Sequence, residues 1–185
     1  RLFDSSHILT ITIPFTPEQL MQACKETIRV NGLKKGYLRP IVFIGDGEMG
    51  IYVTGNPIRV AIPAWEWGAY LGEEGIKNGI RAKISSYTRH HVNAMFNKAK
   101  ASGNYINSFM AKQEALKGGY EESILLDTEG YVSECSGQNI FIVKGNVVKT
   151  TPAGSSILEG ITAKSVMTLC EDHGIKVVHE KFARD

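Results

Sequence analysis

The most informative stretch of this chain is ESILLDTEGYVSECSGQNIFIVKGNVVKTT, residues 122–151. Four short runs rich in Ile, Leu, Val and Phe alternate in it with turn-forming residues such as TEG and GN. Short apolar runs separated by tight-turn residues are typical of consecutive strands. The stretch therefore predicts a β-meander of four strands, around which the rest of the fold must be arranged.

Helical patterns flank this meander on both sides. NYINSFMAKQEALKGG, residues 104–119, predicts a helix that ends at Gly118, and LEGITAKSVMTLCEDHG, residues 158–174, predicts a second one followed by the strand IKVVHE. The apolar stripe of the first helix consists of Ile106, Phe109, Met110 and Leu116.

The N-terminal part of the chain has the same mixed character. Thr16, Pro17 and Gln19 form a capping box with proline at the first helical position, which predicts a helix over residues 17–30. Strands are predicted within residues 37–45, 58–65 and 80–87, and the glycine-rich residues 45–56 predict a loop.

Strands in meander order with single helices between them indicate an α+β fold rather than a regular βαβ series. The irregular stretch around WEWGAYLGEEG predicts a linker. We therefore divide the chain into a first domain at 1–65, an interdomain loop at 66–77 and a second domain at 78–185.

The composition excludes several classes of function. The 185 residues are 43% hydrophobic and carry a net charge of +2 with scattered basic residues, so nucleic acid is not expected as a partner. No run of residues is long and apolar enough to span a membrane. Three cysteines without disulfide or metal-ligand spacing favour a reducing cytoplasm, and no metal site is expected.

Lysine chemistry is the first candidate function. In KAKASGNYINS, residues 98–108, either Lys98 or Lys100 could form a Schiff base with an aldehyde if its amine were free of its proton. A period of two places both lysines on the same face of a strand, so periodicity does not choose between them. A solvated lysine pair at a strand end is the ordinary alternative.

Two further features fit an electron-sink cofactor. Glu134, at the end of a predicted strand, could face a heterocyclic nitrogen and keep it protonated, although a surface glutamate before a turn is the common case. Gly160, Ile161 and Thr162 open a helix whose free N–H groups could accept a phosphate, as every helix start can.

Three motifs together resemble a known family. KASGNYINS, LDTEGYVSECSGQNIFIV and ILEGIT, with YLRP and WGAYLG, are similar to the fold type IV aminotransferases that depend on pyridoxal 5′-phosphate, and most similar to the branched-chain amino acid aminotransferases. The resemblance covers nearly the whole chain and implies an internal portion of the family's sequence. It also implies two subdomains of mixed or antiparallel sheet with flanking helices, the second subdomain being the larger one that binds the cofactor.

The resemblance assigns a role to each cofactor-binding residue. It makes Lys100 the catalytic Schiff-base lysine and Tyr105 the partner of the cofactor's ring oxygen, with Glu134 paired to the pyridine nitrogen. The phosphate contacts fall to three residues, Arg1, Ile161 and Thr162.

The resemblance also implies the substrates and the assembly. Tyr37 would contact the α-carboxylate, Arg39 the distal carboxylate of glutamate, and Tyr70 with Trp67 the side-chain pocket. The implied reaction moves the amino group of leucine, isoleucine or valine to 2-oxoglutarate. The loop at 45–56 would reach the site of a neighbouring subunit, which implies a homodimer or a higher homo-oligomer.

Other functions remain open from the sequence. A D-amino-acid aminotransferase, an amine transaminase or a pyridoxal-phosphate lyase could share the fold, although YLRP argues against them. A catalytically dead remnant or a binding module is the alternative that is not an enzyme, and the retained Lys100 and Glu134 argue against it.

Overall fold

The computed structural model describes residues 1–52, 54–68 and 71–185, which form two compact units, Arg1–Glu73 and Glu74–Asp185. The boundary between the units lies within the helix α3, Gly72–Asn78, where the sequence predicted an irregular linker. The segment GEEGIKN contains helix-forming Glu73, Glu74 and Lys77, but Gly72 and Gly75 made the stretch read as irregular from its sequence. The domain limits 1–65 and 78–185 stay a prediction.

The first unit contains two helices, α1 (Leu2–Ile8) and α2 (Pro17–Val30). The predicted capping box of α2 is confirmed: the Thr16 hydroxyl accepts a hydrogen bond from the Gln19 N–H at 3.2 Å, and the Gln19 side chain accepts one from the Thr16 N–H at 2.8 Å. Two otherwise unpaired N–H groups at the helix start are thereby satisfied.

The strands of the first unit form two antiparallel pairs. β1 (Tyr37–Leu38) pairs with β4 (Ala64–Trp65), and β2 (Ile41–Ile44) pairs with β3 (Ile58–Ala61). The predicted strand at 37–45 is thus interrupted at Pro40, and the predicted strand at 58–65 is interrupted at Pro63. Proline has no N–H to donate to a ladder, which explains why each run is split in two.

The second unit is built from two three-stranded sheets. The first has the order β5-β6-β7, with β5 (Ala82–Thr88) parallel to β6 (Glu122–Leu126) and β6 antiparallel to β7 (Val132–Cys135). The second has the order β10-β9-β8 and comprises β8 (Phe141–Lys144), β9 (Val147–Thr150) and β10 (Lys176–His179). The four meander strands are confirmed, but they are divided between two sheets.

Each sheet contains one parallel pair that a helix connects. The helix α4 (Tyr105–Lys117) links β5 to β6, and α5 (Ile161–Asp172) links β9 to the parallel β10. A parallel pair requires a crossover of this kind, whereas the antiparallel pairs are joined by short turns. The second unit is therefore mixed, as the α+β prediction requires.

The face by which α4 packs is not its apolar stripe. Ala111 and Ala115 are essentially inaccessible to solvent, whereas Phe109 is 62% and Ile106 70% exposed. Small side chains let the helix axis approach β5 and β6 closely, so the packing is decided by the space available and not by hydrophobicity. No helix in the described parts of the chain is long and apolar enough to cross a membrane.

Ala111→Leu is expected to destabilise the second unit by about 1–3 kcal/mol, because the larger side chain has no space between α4 and the sheet. The same residue placed at the exposed end of α4, in Lys117→Leu, should change the free energy of unfolding by less than about 0.5 kcal/mol. Urea denaturation of the two variants measures both values. Equal effects would contradict the packing described for this helix.

Candidate active site

The loop that carries Lys100 is fixed by two buried asparagines. The Asn104 side chain donates hydrogen bonds to the carbonyls of Phe96 and Ala99, both at 3.2 Å, and the Asn97 side chain donates one to the carbonyl of His90 at 3.1 Å. Asn104 occupies the N-cap position of α4, but its side chain makes no capping hydrogen bond. It stabilises the preceding loop instead.

Lys100 and Tyr105 form the centre of the candidate site. The Lys100 amine donates a hydrogen bond to the Tyr105 hydroxyl at 2.6 Å, and the lysine nitrogen lies 5.2 Å from the centre of the tyrosine ring. Lys98, two residues earlier, is exposed, and so is Lys100. The structure brings the Lys100 amine together with the Tyr105 hydroxyl, two groups that the family resemblance assigned to the same cofactor.

Glu134, on β7, is a buried carboxylate with donors from three separate segments. The Arg89 guanidinium lies 2.6 Å from one carboxylate oxygen, and both side chains are less than a tenth exposed. The other oxygen accepts hydrogen bonds from the Leu158 N–H at 3.1 Å and the Asn139 side chain at 3.3 Å. The alternative of a surface glutamate before a turn is wrong for this residue.

Burial dominates the electrostatics of Glu134. It raises the pKa of the carboxyl group from 4.5 to about 7, although the Arg89 guanidinium, the Leu158 N–H and the Lys100 charge all act to lower this pKa. A cationic group that reached Glu134 would favour the ionised carboxylate further.

The start of α5 is attached to the same site through Asn139. This side chain donates to the Leu158 carbonyl at 2.8 Å, accepts from the Gly160 N–H at 3.1 Å and contacts Glu134. A Cβ at position 160 would lie 2.1 Å from the Asn139 oxygen, so a side chain there would displace the Asn139 amide. Ile161 and Thr162, which begin the helix, thus lie at a defined end of the candidate site.

Arg89 and Asn139 are the functional residues that sequence reasoning missed. Asn139 lies within a motif that was already identified, and its position between a turn and a strand was the signal available. Arg89 follows a strand directly, where a charged residue is usually solvated, so the sequence offered no signal for it. The burial of Arg89 depends on its ion pair with Glu134, which lies 45 positions further along the chain.

The remaining predicted site residues belong to the first unit. Arg1 directly precedes α1, and Tyr37 and Arg39 lie at the β1–β4 pair next to Trp67. Tyr70 lies outside the described residues. The roles of Arg1, Tyr37, Arg39 and Tyr70 therefore stay predictions.

The candidate groups are an amine beside a phenol, a buried carboxylate held by an arginine, and an open helix start, which have the chemistry to bind a carbonyl, a ring nitrogen and an anionic group respectively. The chain matches the amino-transferase class IV family over residues 1–185. It belongs to this class of aminotransferases.

Its relatives within that class carry a more specific name. The branched-chain-amino-acid aminotransferase of Pseudomonas aeruginosa is 46% identical over 185 residues, which are 100% of this chain and 60% of that protein. The crystal structure of the Escherichia coli branched-chain amino acid aminotransferase superposes with a TM-score of 0.96 at 41% identity, over 98% of this chain and 60% of the other.

A second similar structure is in its PLP form. The branched-chain amino acid aminotransferase of Thermobaculum terrenum is 28% identical, with a TM-score of 0.90 over 99% of this chain and 59% of that one. These neighbours confirm the predicted α+β, fold type IV class. The chain spans about 60% of the length of the relatives it matches.

Glu134→Gln is expected to remove a pH dependence of stability. Because the folded protein raises the pKa of Glu134 from 4.5 to about 7, it retains a proton that the unfolded chain releases in this interval. The stability of the ligand-free protein should therefore fall as pH rises through that window, by up to about 3 kcal/mol more than in the variant.

Urea unfolding of the wild type and of Glu134→Gln, at several pH values between 4.5 and 7, measures how the free energy of unfolding of each protein changes with pH. Parallel stability curves for the two proteins would contradict the raised pKa. A wild-type stability that rises with pH relative to the variant would show that Arg89 outweighs the cost of burial.

Proposed function

We propose that this chain is the part of a branched-chain-amino-acid transaminase that binds pyridoxal 5′-phosphate, and that the enzyme transfers the amino group of leucine, isoleucine or valine to 2-oxoglutarate. The observation that carries the proposal is the contact of the Lys100 amine with the Tyr105 hydroxyl, in a site that also contains the buried Glu134. The names of the relatives and the PLP form of the Thermobaculum terrenum structure support it.

The residues present fit the functional groups of this cofactor. Lys100 offers an amine for the aldehyde, and the Tyr105 hydroxyl lies beside it for the ring oxygen. Glu134 offers a buried acceptor for a protonated ring nitrogen, and the start of α5 offers N–H groups for the phosphate. Arg1 is the additional phosphate ligand that we assign from the first unit.

When bound, the cofactor supplies an aldehyde for covalent attachment and a ring that accepts electrons from the substrate's Cα. The residues of this chain perform the other tasks. Lys100 would hold the cofactor through its amine and, as a free amine while substrate is bound, would take the proton from the substrate's Cα. Glu134 would keep the proton at the ring nitrogen, and Tyr105 would orient the ring through its hydroxyl.

Ile161 and Thr162 act at the opposite end of the cofactor. Their backbone N–H groups have no acceptor within the helix, because they belong to its first turn, and the Thr162 hydroxyl adds a donor. Asn139 fixes this turn relative to Glu134, so the ring nitrogen and the phosphate are held at a set spacing.

Substrate recognition falls to the first unit in this proposal. Tyr37 contacts the α-carboxylate, Arg39 binds the distal carboxylate of glutamate, and Tyr70 lines the pocket for the branched side chain. A guanidinium provides two parallel N–H donors that match a carboxylate, and leucine has no group that requires them.

The proposed assembly is a cytoplasmic homodimer. Met49 and Ile51, in the loop between β2 and β3, are essentially fully exposed in the isolated chain. Large apolar side chains in such a position are typical of a surface that another subunit covers. The small first domain at 1–65, the loop at 66–77 and the larger domain at 78–185 remain our division of the chain.

The other activities of the same fold are distinguished by substrate. A D-amino-acid aminotransferase would use D-alanine, and an amine transaminase would use a substrate without a carboxylate, so both would make little use of the pair Tyr37 and Arg39. A lyase would release a product without consuming 2-oxoglutarate. A binding module would give no turnover with any of these substrates.

Lys100→Ala is expected to abolish the visible absorbance that the whole protein acquires with pyridoxal phosphate, and to lower the rate of leucine transamination by about 10³-fold or more. Lys98→Ala is the matched control, since it removes an exposed lysine two residues away, and it should retain both properties. Spectrophotometry and a coupled glutamate assay measure the two effects.

Retained transamination in Lys100→Ala would refute the role of this lysine. A wild-type protein that binds the cofactor but converts only D-amino acids or amines would favour the alternative enzymes. No absorbance change and no turnover in the wild type would favour the binding module.

A further inference from the structure

One face of the β1–β4 pair is occupied by aromatic side chains. Tyr37 and Trp65 lie directly opposite each other in the antiparallel register, and alternation along the strands places Arg39 and Trp67 on that same face. Gly36 allows the close approach of the two strands, because a Cβ there would lie 2.5 Å from the Trp65 carbonyl oxygen. The sequence patterns Y-L-R and W-E-W thus assemble into one surface.

The rings on this surface are in mutual contact. The ring centres of Tyr37 and Trp65 are 5.1 Å apart, those of Tyr37 and Trp67 are 4.6 Å apart, and the two indoles stack at 5.7 Å. These separations lie in the favourable range for aromatic pairs. The cluster is therefore a rigid platform and not a set of independent side chains.

Arg39 lies over this platform. Its guanidinium carbon is 5.3 Å from the centre of the Tyr37 ring and 5.1 Å from that of Trp65, within the range of cation–π attraction. The Arg39 N–H also donates to the Pro63 carbonyl at 2.9 Å, which holds the backbone in register. Both the backbone and the head group of Arg39 are thus restrained.

No carboxylate in the described parts of the chain lies within ion-pairing distance of the Arg39 guanidinium. Aromatic contacts use the flat face of a guanidinium, whereas hydrogen bonds to a carboxylate use the N–H groups in its plane. The two kinds of contact are compatible. The side chain is therefore arranged to receive an external anion while the aromatic platform restrains it.

We propose that Trp65 is a positioning residue that holds the Arg39 guanidinium in place for the distal carboxylate of a five-carbon dicarboxylate, the class that includes glutamate and 2-oxoglutarate. This inference rests on the proposed function for the identity of the substrate. Trp65 acts through Arg39 and does not itself bind the carboxylate. Its effect is accordingly confined to the dicarboxylate, because a branched aliphatic side chain makes no use of the guanidinium.

Trp65 would therefore affect the affinity for the dicarboxylate and not the affinity for the branched-chain substrate, although both bind in the same site. Without the indole, Arg39 would sample many rotamers and would lose conformational entropy on each binding event. Binding of the dicarboxylate would weaken, while the pocket for the branched chain would be unchanged.

Calorimetric titration of the whole protein, loaded with pyridoxal phosphate, tests this with two ligands that cannot react. Glutarate carries the distal carboxylate, and 4-methylvalerate carries a branched apolar end. Trp65→Leu is expected to weaken glutarate binding about two- to fivefold, the range of an exposed cation–π contact, and to leave 4-methylvalerate within about 1.5-fold of the wild type.

Two variants control the measurement. Trp65→Phe retains an aromatic face and should keep most of the glutarate affinity, which a merely structural role for a large side chain would not require. Phe43→Leu removes an exposed aromatic ring from β2, on the other strand pair, and should leave both affinities unchanged.

Three results would overturn the proposal: equal weakening of both ligands in Trp65→Leu, unchanged glutarate binding in that variant, or a wild type with no affinity for glutarate. Leucine transamination by the wild type, assayed separately, reports on the proposed function. If glutarate binding depends on Trp65 but the wild type does not transaminate leucine, the positioning role stands and the proposed function fails.

Discussion

The buried carboxylate of Glu134 organises the second unit. A charged group without water must find partners in the protein, and its partners come from the end of β5, from the turn after β7 and from the segment before α5. None of these segments could move far without leaving a buried charge unpaired. The requirement of one side chain therefore fixes the relative positions of a sheet, a turn and a helix start.

Amide side chains hold the other parts of the site in place through hydrogen bonds. Asn104 and Asn97 stabilise the loop that carries Lys100, and Asn139 joins Glu134 to the first turn of α5. An amide can donate and accept at once, so it can satisfy backbone groups in loops where no ladder is available. The site is rigid although much of it lies outside regular secondary structure.

The proposed function uses two ways of binding anions, and they differ in selectivity. The start of α5 presents backbone N–H groups, as every helix does. These groups serve the site because Asn139 fixes the position of this helix start. The Arg39 guanidinium is presented by aromatic rings and offers planar donors to a carboxylate. In the proposed function, the first would hold the phosphate of a cofactor that stays bound, and the second would hold the distal carboxylate of a substrate that exchanges with one whose side chain is uncharged.

Two local features of this protein could be predicted from the amino-acid sequence, the α2 capping box and the four meander strands. Each depends on contacts between near neighbours in the chain. Three other features emerged only once the chain was folded. The face of α4 that packs on the sheet is formed by Ala111 and Ala115 and not by its apolar stripe. The meander strands divide into two sheets, and Arg89 pairs with Glu134. These outcomes depend on the space between helices and sheets and on the burial of charged side chains. Both are decided when segments that are distant in the chain come together, so no periodic pattern in the sequence predicts them.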